Sequence, residues 1–287
     1  MSGKLAFILS MIIFGAVGVF AKYIPLNSSE IAFWMSLIGA CFLIVIFIYK
    51  KESFTKRSIL KNRWKLVLSS VTLCGNWIFL FQAYKETTIA NAALSYYFAP
   101  VLVICLSPII LKEKLVGRKI LYVCVALIGL FLIVQSQDTG DSKHFIGIVY
   151  GLIAACFYTA LTFTNKCICG LNEPENTIIQ LSLAASFLCF YILGTTGFQV
   201  MTISFKSVLL LISLGIVHAG VGFLLFFWGM SKLKGQSIAI LSYIDPLTSL
   251  VISTMIIGEK MTLLQIIGAV LLLGSTLLSE LEKEPKK

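Results

Sequence analysis

The sequence predicts an all-α polytopic membrane protein of ten transmembrane helices, arranged as two inverted repeats of five. Three observations carry that expectation. Of the 287 residues, 58% are hydrophobic and only 13% charged, against about 45–50% and about 25% in a soluble domain. Mean hydropathy is +0.95. The second half of the chain also repeats the first. Tyr97-Phe98-Ala99-Pro100 returns 146 residues later as Tyr243-Ile244-Asp245-Pro246, and thirteen residues beyond each proline stands the same pair, Glu113-Lys114 and Glu259-Lys260.

A helix needs roughly 20 apolar residues to cross the hydrocarbon core. Ten such stretches follow one another, at about 4–23, 31–49, 66–84, 90–111, 118–135, 145–167, 176–198, 207–230, 236–257 and 262–281. None shows the alternation of a barrel strand. The first is too long for the apolar core of a signal peptide, and Lys22-Tyr23-Ile24-Pro25 is no small-residue cleavage site, so it reads as the first helix. With the N-terminus inside, eighteen of the 23 Lys and Arg residues fall on the cytoplasmic side. Five fall outside: Lys22, Lys85, Lys143, Lys206 and Lys260. That asymmetry puts both termini in the cytoplasm. The basic run from Lys50 to Lys65 is expected to lie as a loop beside anionic headgroups. No motif or aromatic context around it suits nucleic acid, despite the net charge of +10.

The other loops are short, and the charged tail from Glu280 to Lys287 is expected to fray. The eight cysteines all fall in or at the ends of the apolar stretches and are expected to pack as small apolar residues. Cys167-Ile168-Cys169 lacks zinc-ligand spacing.

The repeat reaches beyond the proline motif. Phe14 to Lys22 aligns with Tyr158 to Lys166 at an offset of 144. Each unit, 1–140 and 141–287, then holds five helices. Because five is odd, the second unit enters the membrane from the opposite side, related to the first by an axis in the membrane plane. In such folds solute sits where the halves meet.

These residues resemble the drug/metabolite transporter superfamily, and within it the ten-helix EamA family. The resemblance rests on the two five-helix halves, on Pro100 to Glu113 and Pro246 to Gly258-Glu259, and on the small-residue run from Gly268-Ala269 to Gly274. It implies an alternating-access carrier in the cell membrane, often an exporter of amino acids, related metabolites or drugs, working without ATP. No Gly-x-x-x-x-Gly-Lys-Ser/Thr phosphate loop is present, and no cofactor is expected.

The candidate site residues lie at mid-depth. Asp245 is foremost: an acid in the middle of a membrane helix usually faces a cavity or a partner. Pro246 beside it disturbs the helix and is expected to leave the carbonyl one turn back free. Asp245 then serves as a proton or cation site, or caps its own broken helix. His218, at mid-depth in the eighth stretch, suits a proton relay or an interhelical hydrogen bond, and their similar depth suggests contact with Asp245. Asn76 offers substrate hydrogen bonds or a helix bridge, and Trp77 a rigid wall. Tyr96, Tyr97, Tyr158, Trp228 and Tyr243 supply aromatic surface for an organic solute or a cation, with Pro100 and Pro246 as hinges. Tyr23, Tyr49, Tyr84 and Trp64 read instead as an interfacial belt. Lys22 and Lys166 are expected to snorkel to the headgroups. Gln180, Ser10, Ser36, Ser182, Ser242, Thr248 and Ser249 are read as polar lining or interhelical glue. Glu30 and Trp34 read as anchors at the outer end of the second stretch, and Glu113 and Glu259 as loop anchors.

An enzyme would need a cluster of His, Asp, Glu or metal-spaced ligands, which the chain does not offer. A channel would need a selectivity filter or charged ring. The expected partners are a small organic solute, protons as a coupling ion and the lipid bilayer. The sequence leaves open a non-transporting receptor, an uncoupled facilitator and a homodimer.

Overall fold

Backbone in lipid must bond to itself, which leaves helices as the way across. The computed structural model describes residues 2–17, 20, 23–86, 92, 95–112, 117–135, 144–200, 203–257 and 263–281, and no strand occurs among them. Lys22, Ala93, Glu113-Lys114, Glu259-Lys260 and the tail from Glu282 lie outside the described residues. Helix occupies every one of the ten apolar stretches: α1 (Gly3–Gly15), α2 (Ser28–Tyr49), α3 (Lys56–Glu86), α4 (Ala99–Ile110), α5 (Gly117–Gln135), α6 (His144–Lys166), α7 (Glu173–Gly194), α8 (Phe205–Ser213, Leu214–Gly222 and Phe223–Lys232), α9 (Gly235–Leu241 and Ile244–Ile257) and α10 (Leu263–Leu281).

Five described helices are long and apolar enough to cross a membrane by themselves: Ser28–Tyr49, Lys56–Glu86, Phe145–Lys166, Glu173–Gly194 and Phe205–Lys232. Gly3–Gly15 and Ala99–Ile110 are shorter apolar helices. The outer surface is apolar, with Ile109, Phe145, Phe190, Val45 and Ile48 all more than 60% exposed, as a lipid-facing belt requires. Two boundaries differ from the sequence reading. The basic run is a loop only as far as Thr55, since α3 begins at Lys56. At a rise of 1.5 Å per residue this helix spans about 46 Å, so its basic first turns extend past the hydrocarbon. His144 opens α6 instead of lying in a loop. Of the eight cysteines, Cys74 is buried and Cys189 half-buried, while the other six are exposed. An apolar thiol on an outer, lipid-facing surface has the same physical justification as one in the core.

The most extensive packing joins the first half to the second. α3 lies along α6, α1 along α8, α2 along α7 and α8, α5 along α10, and α4 against α9. Exchanging each helix for its counterpart five places on maps α3·α6 onto α8·α1 and α2·α8 onto α7·α3, and leaves α2·α7, α4·α9 and α5·α10 unchanged.

A second repeat, unnoticed in the sequence, fixes the ends of α2 and α7. Leu26-Asn27-Ser28-Ser29-Glu30 recurs 145 residues on as Leu171-Asn172-Glu173-Pro174-Glu175. Each asparagine stands at the N-cap and each glutamate three residues in. Glu175 and Asn172 form a reciprocal capping box, and a Glu175 carboxylate oxygen also accepts the Thr55 N–H of the α2–α3 loop. Both Glu30 oxygens accept the Gln199 N–H, at 2.9 and 3.0 Å, from the segment before α8. Trp34 Nε1 adds a bond at 3.4 Å. Glu30 and Glu175 are fully buried. Each half thus holds a loop of the other, and Glu30 is a buried clamp, not the interface anchor expected of it.

Candidate functional site

Pro100 and Pro246 do not kink continuous helices; each sits in the first turn of a helix that starts afresh. Chain turns at Tyr97-Phe98 and at Ser242-Tyr243 precede α4 and the second piece of α9. In a first turn the missing proline N–H costs nothing. The Ser242 carbonyl, expected to be free, accepts the Asp245 N–H at 3.2 Å. The restart leaves Asp245 half-buried in the first turn of the second piece. α1 passes close by: a Cβ on Gly15 would lie 2.7 Å from the Asp245 carbonyl oxygen.

α8 is interrupted differently. Its middle, Leu214–Gly222, is π-helical, a form found mostly as short insertions at functional sites. Gly215 and Gly220 let this wider turn press against Ile38 and Phe42 of α2. His218, 2% exposed, lies in this stretch with both ring nitrogens unbonded, its ring edge against Phe20 at 5.0 Å.

These interruptions surround one cavity of about 90 Å³, where one water needs roughly 10–15 Å³. Asn76, Trp77, Tyr96, Tyr97, Tyr158, His218, Asp245 and Pro100 all line it. Tyr97 interacts with the Asp245 carboxylate, and Tyr84, Tyr96 and Tyr158 line the same cavity. Tyr158 shares a hydrogen bond of 3.0 Å with Ser242. Asn76 both faces the cavity and bridges helices, donating to the Ala154 carbonyl of α6 at 3.0 Å. Trp77 meets Phe223 edge-on at 5.2 Å, and Phe14 packs on Phe223 at 4.8 Å.

Three predicted residues fall elsewhere. Trp228 and Pro246 are not among the lining residues. Tyr243 is 0% exposed in a separate cluster with Val103, Phe163 and Ile240, its hydroxyl without a partner. Asp245 and His218 line the same cavity, without a hydrogen bond between them, since neither ring nitrogen has a partner.

Sequence reasoning missed Tyr84, Phe223 and Phe226, which also line the cavity. Tyr84 was assigned to the interfacial belt. The signal against that was its spacing, because Asn76, Leu80 and Tyr84 recur every four residues and share one helix face. Phe223 is the repeat counterpart of Trp77. Counterparts meet repeatedly here: Phe14 with Tyr158, Trp77 with Phe223, Leu80 with Phe226 and Ala99 with Asp245 all line the cavity.

The cavity is off-centre, drawing on the C-terminal parts of α1 and α3 and the start of α4. At the opposite end polar contacts tie the helices together beside a second pocket, of about 190 Å³, lined in part by Asn165, Asn176 and Phe227. Gln180 Nε2 donates to Asn165 Oδ1 at 2.7 Å and to Asn176 Oδ1 at 2.8 Å. Asn165 Nδ2 donates to Ser69 Oγ at 2.6 Å, which joins α3, α6 and α7. Lys166 does not snorkel: its Nζ donates to the Leu233 and Met230 carbonyls at the end of α8. Those carbonyls are orphans of a helix C-terminus, where a cation is favoured.

The sequence profile of the EamA-like transporter family matches residues 1–135 and again 145–281. The chain belongs to the EamA-like transporter family. It is 29% identical over 286 residues to the uncharacterized transporter YxxF of Bacillus subtilis (strain 168), covering 97% of this chain and 89% of that one. It is 25% identical over 294 residues to the uncharacterized inner membrane transporter YicL of Salmonella typhimurium (strain LT2), covering 98% and 95%. A solved crystal structure superimposes with a TM-score of 0.84 over 98% of this chain and 96% of the other, at 16% identity; that likeness is one of fold. The family places the chain among multi-pass membrane transporters.

Proposed function

We propose that the protein is a secondary carrier of a small organic solute, working by alternating access, with the central cavity as its solute site and Asp245 as the group that exchanges a proton or cation. One observation carries the reading: a cavity lined by counterpart residues of both halves holds, among its described lining residues, a single carboxylate, Asp245, whose repeat counterpart is Ala99. Inverted repeats place their solute sites at this junction.

The repeat also supports the alternation. Under exchange of the halves, the off-centre lining residues Tyr84, Phe81, Met35, Tyr97, His218 and Ser249 map onto Met230, Phe227, Gln180, Tyr243, Thr72 and Val103, none of which lines the cavity. These six are buried, at 0–4% exposure, and of them Phe227 borders a second pocket at the other end. A swap of the two arrangements would open the second set and close the first. The distribution of Lys and Arg supports cytoplasmic termini, which makes the present cavity outward-facing. Export is the direction that the family resemblance favours. The units 1–140 and 141–287 are the halves that exchange.

The test is solute-gated proton flux. The protein is reconstituted in liposomes with a pH dye, and pools of amino acids, polyamines, nucleosides and cationic drugs are added to wild type and Asp245→Asn. A pool that moves protons in wild type and not in the variant supports the assignment of Asp245. Equal solute movement without protons in both proteins removes the coupling role and leaves a facilitator or exchanger. A protein that moves no pool refutes the carrier reading in favour of a receptor.

A further inference from the structure

We infer that the cavity selects a lipophilic organic amine that carries no carboxylate, in preference to the zwitterionic amino acid of the same skeleton. This rests on the carrier reading only in taking the cavity as the solute site.

Asp245 is the one formally charged residue among the described lining residues; no Lys or Arg lines the cavity. Lys85, next to Tyr84, is exposed and is not part of the wall. An ammonium entering here meets a carboxylate and a wall that includes Trp77, Phe223, Phe226 and four tyrosines, side chains that favour a cation over a ring face. A carboxylate entering with it meets no opposite charge. Burying an anion without a partner costs several kcal/mol, and Asp245 adds like-charge repulsion.

Other groups that could receive a carboxylate are weak or already engaged. Two helices begin at the cavity, α4 and the second piece of α9, and helix starts favour anions. Each has a proline in its first turn, which removes an N–H, and the second start already holds Asp245. One of the two Asn76 Nδ2 hydrogens is taken by the Ala154 carbonyl, and Ser242 is engaged with Ile238 and Tyr158. His218 lines the cavity, and its buried ring nitrogens have no hydrogen-bond partner. A neutral imidazole offers one donor and one acceptor, which suits a hydroxyl or an N–H on the far end of the ligand and supplies no fixed positive charge.

Three molecules of one skeleton test this: phenethylamine, phenylalanine and 3-phenylpropionate. Each is titrated by calorimetry into the purified full-length protein in detergent. Phenethylamine is expected to bind at least tenfold more tightly than phenylalanine, with 3-phenylpropionate weakest. Asp245→Asn should lose at least tenfold in phenethylamine affinity, and Asp245→Glu should retain most of it. Thermal melts establish that both variants are folded, and Tyr97→Phe gives a second, milder perturbation of the same carboxylate. The inference is overturned if phenylalanine binds as tightly as phenethylamine, if folded Asp245→Asn keeps the amine preference, or if none of the three saturates. Its failure is separable from that of the carrier reading. Flux of an amino-acid pool in liposomes with no amine preference sinks the substrate class and keeps the carrier, whereas tight amine binding without any flux does the reverse.

Discussion

Asp245 and Ala99 occupy the same place in the two copies of the repeat, and that one difference is felt at a second pair. Tyr97 lines the cavity with Asp245 and interacts with its carboxylate. Its counterpart Tyr243 would need an acceptor at the position of Ala99, where there is a methyl group, and its hydroxyl is buried without a partner. A buried hydroxyl without a hydrogen bond costs about 1–3 kcal/mol. Tyr243→Phe should therefore leave the fold intact and raise stability by about 1 kcal/mol, seen as a higher thermal midpoint in detergent. Tyr97→Phe should instead leave the midpoint unchanged or lower it, and slow solute-gated proton flux. A fall in midpoint for Tyr243→Phe would mean that its hydroxyl has found a partner. Asp245 was legible in the sequence because an acid at mid-depth is conspicuous in apolar surroundings. Tyr243 was misplaced on the same evidence, because depth and aromaticity are alike for both tyrosines, and only the three-dimensional offset of the cavity separates them.

The helices carry their own functional marks at their interruptions. Gly15 stands where α1 crosses the restart of α9, and an added Cβ would meet the Asp245 carbonyl oxygen at 2.7 Å, Thr248 Cβ at 2.7 Å and the Ser249 nitrogen at 2.9 Å. Two of these are backbone atoms and cannot swing aside. Gly15→Ala should lower stability by about 1–3 kcal/mol and reduce flux, whereas Gly274→Ala, with nothing within 4 Å of the new methyl, should do neither. Comparison of their thermal midpoints decides it. Helix existence was readable from apolar length alone, since lipid leaves the backbone no other choice. The interruptions were not. A proline announces a break but not whether it bends a helix or starts one. The π-helical stretch of α8 depends on Gly215 and Gly220 meeting Ile38 and Phe42, contacts made by a helix 175 or more residues away in sequence. The capping box of α7 was visible in Asn172 and Glu175, a recognised N-terminal pattern. The cross-half bonds of Glu30 and Glu175 could not be read from sequence, because their partners are backbone groups of distant loops.

At the scale of the molecule, the proposed alternation predicts that the cavity and its buried counterpart set take turns at being open. In a cysteine-free background, Tyr84→Cys should react with a membrane-impermeant maleimide from the outside at rest. Val103→Cys and Phe227→Cys should be inert at rest and become reactive from the cytoplasmic side during solute-driven flux. Continued inertness under flux would sink the exchange. The same interleaving bears on what a cut between the halves would do. α1 rests on α8, α3 on α6, α2 on α7 and α5 on α10, and each buried glutamate secures a loop across the divide. A chain severed in the loop between α5 and α6 would thus keep its widest seams only while both pieces stay together, and the two fragments, made separately, are expected to find each other in the bilayer.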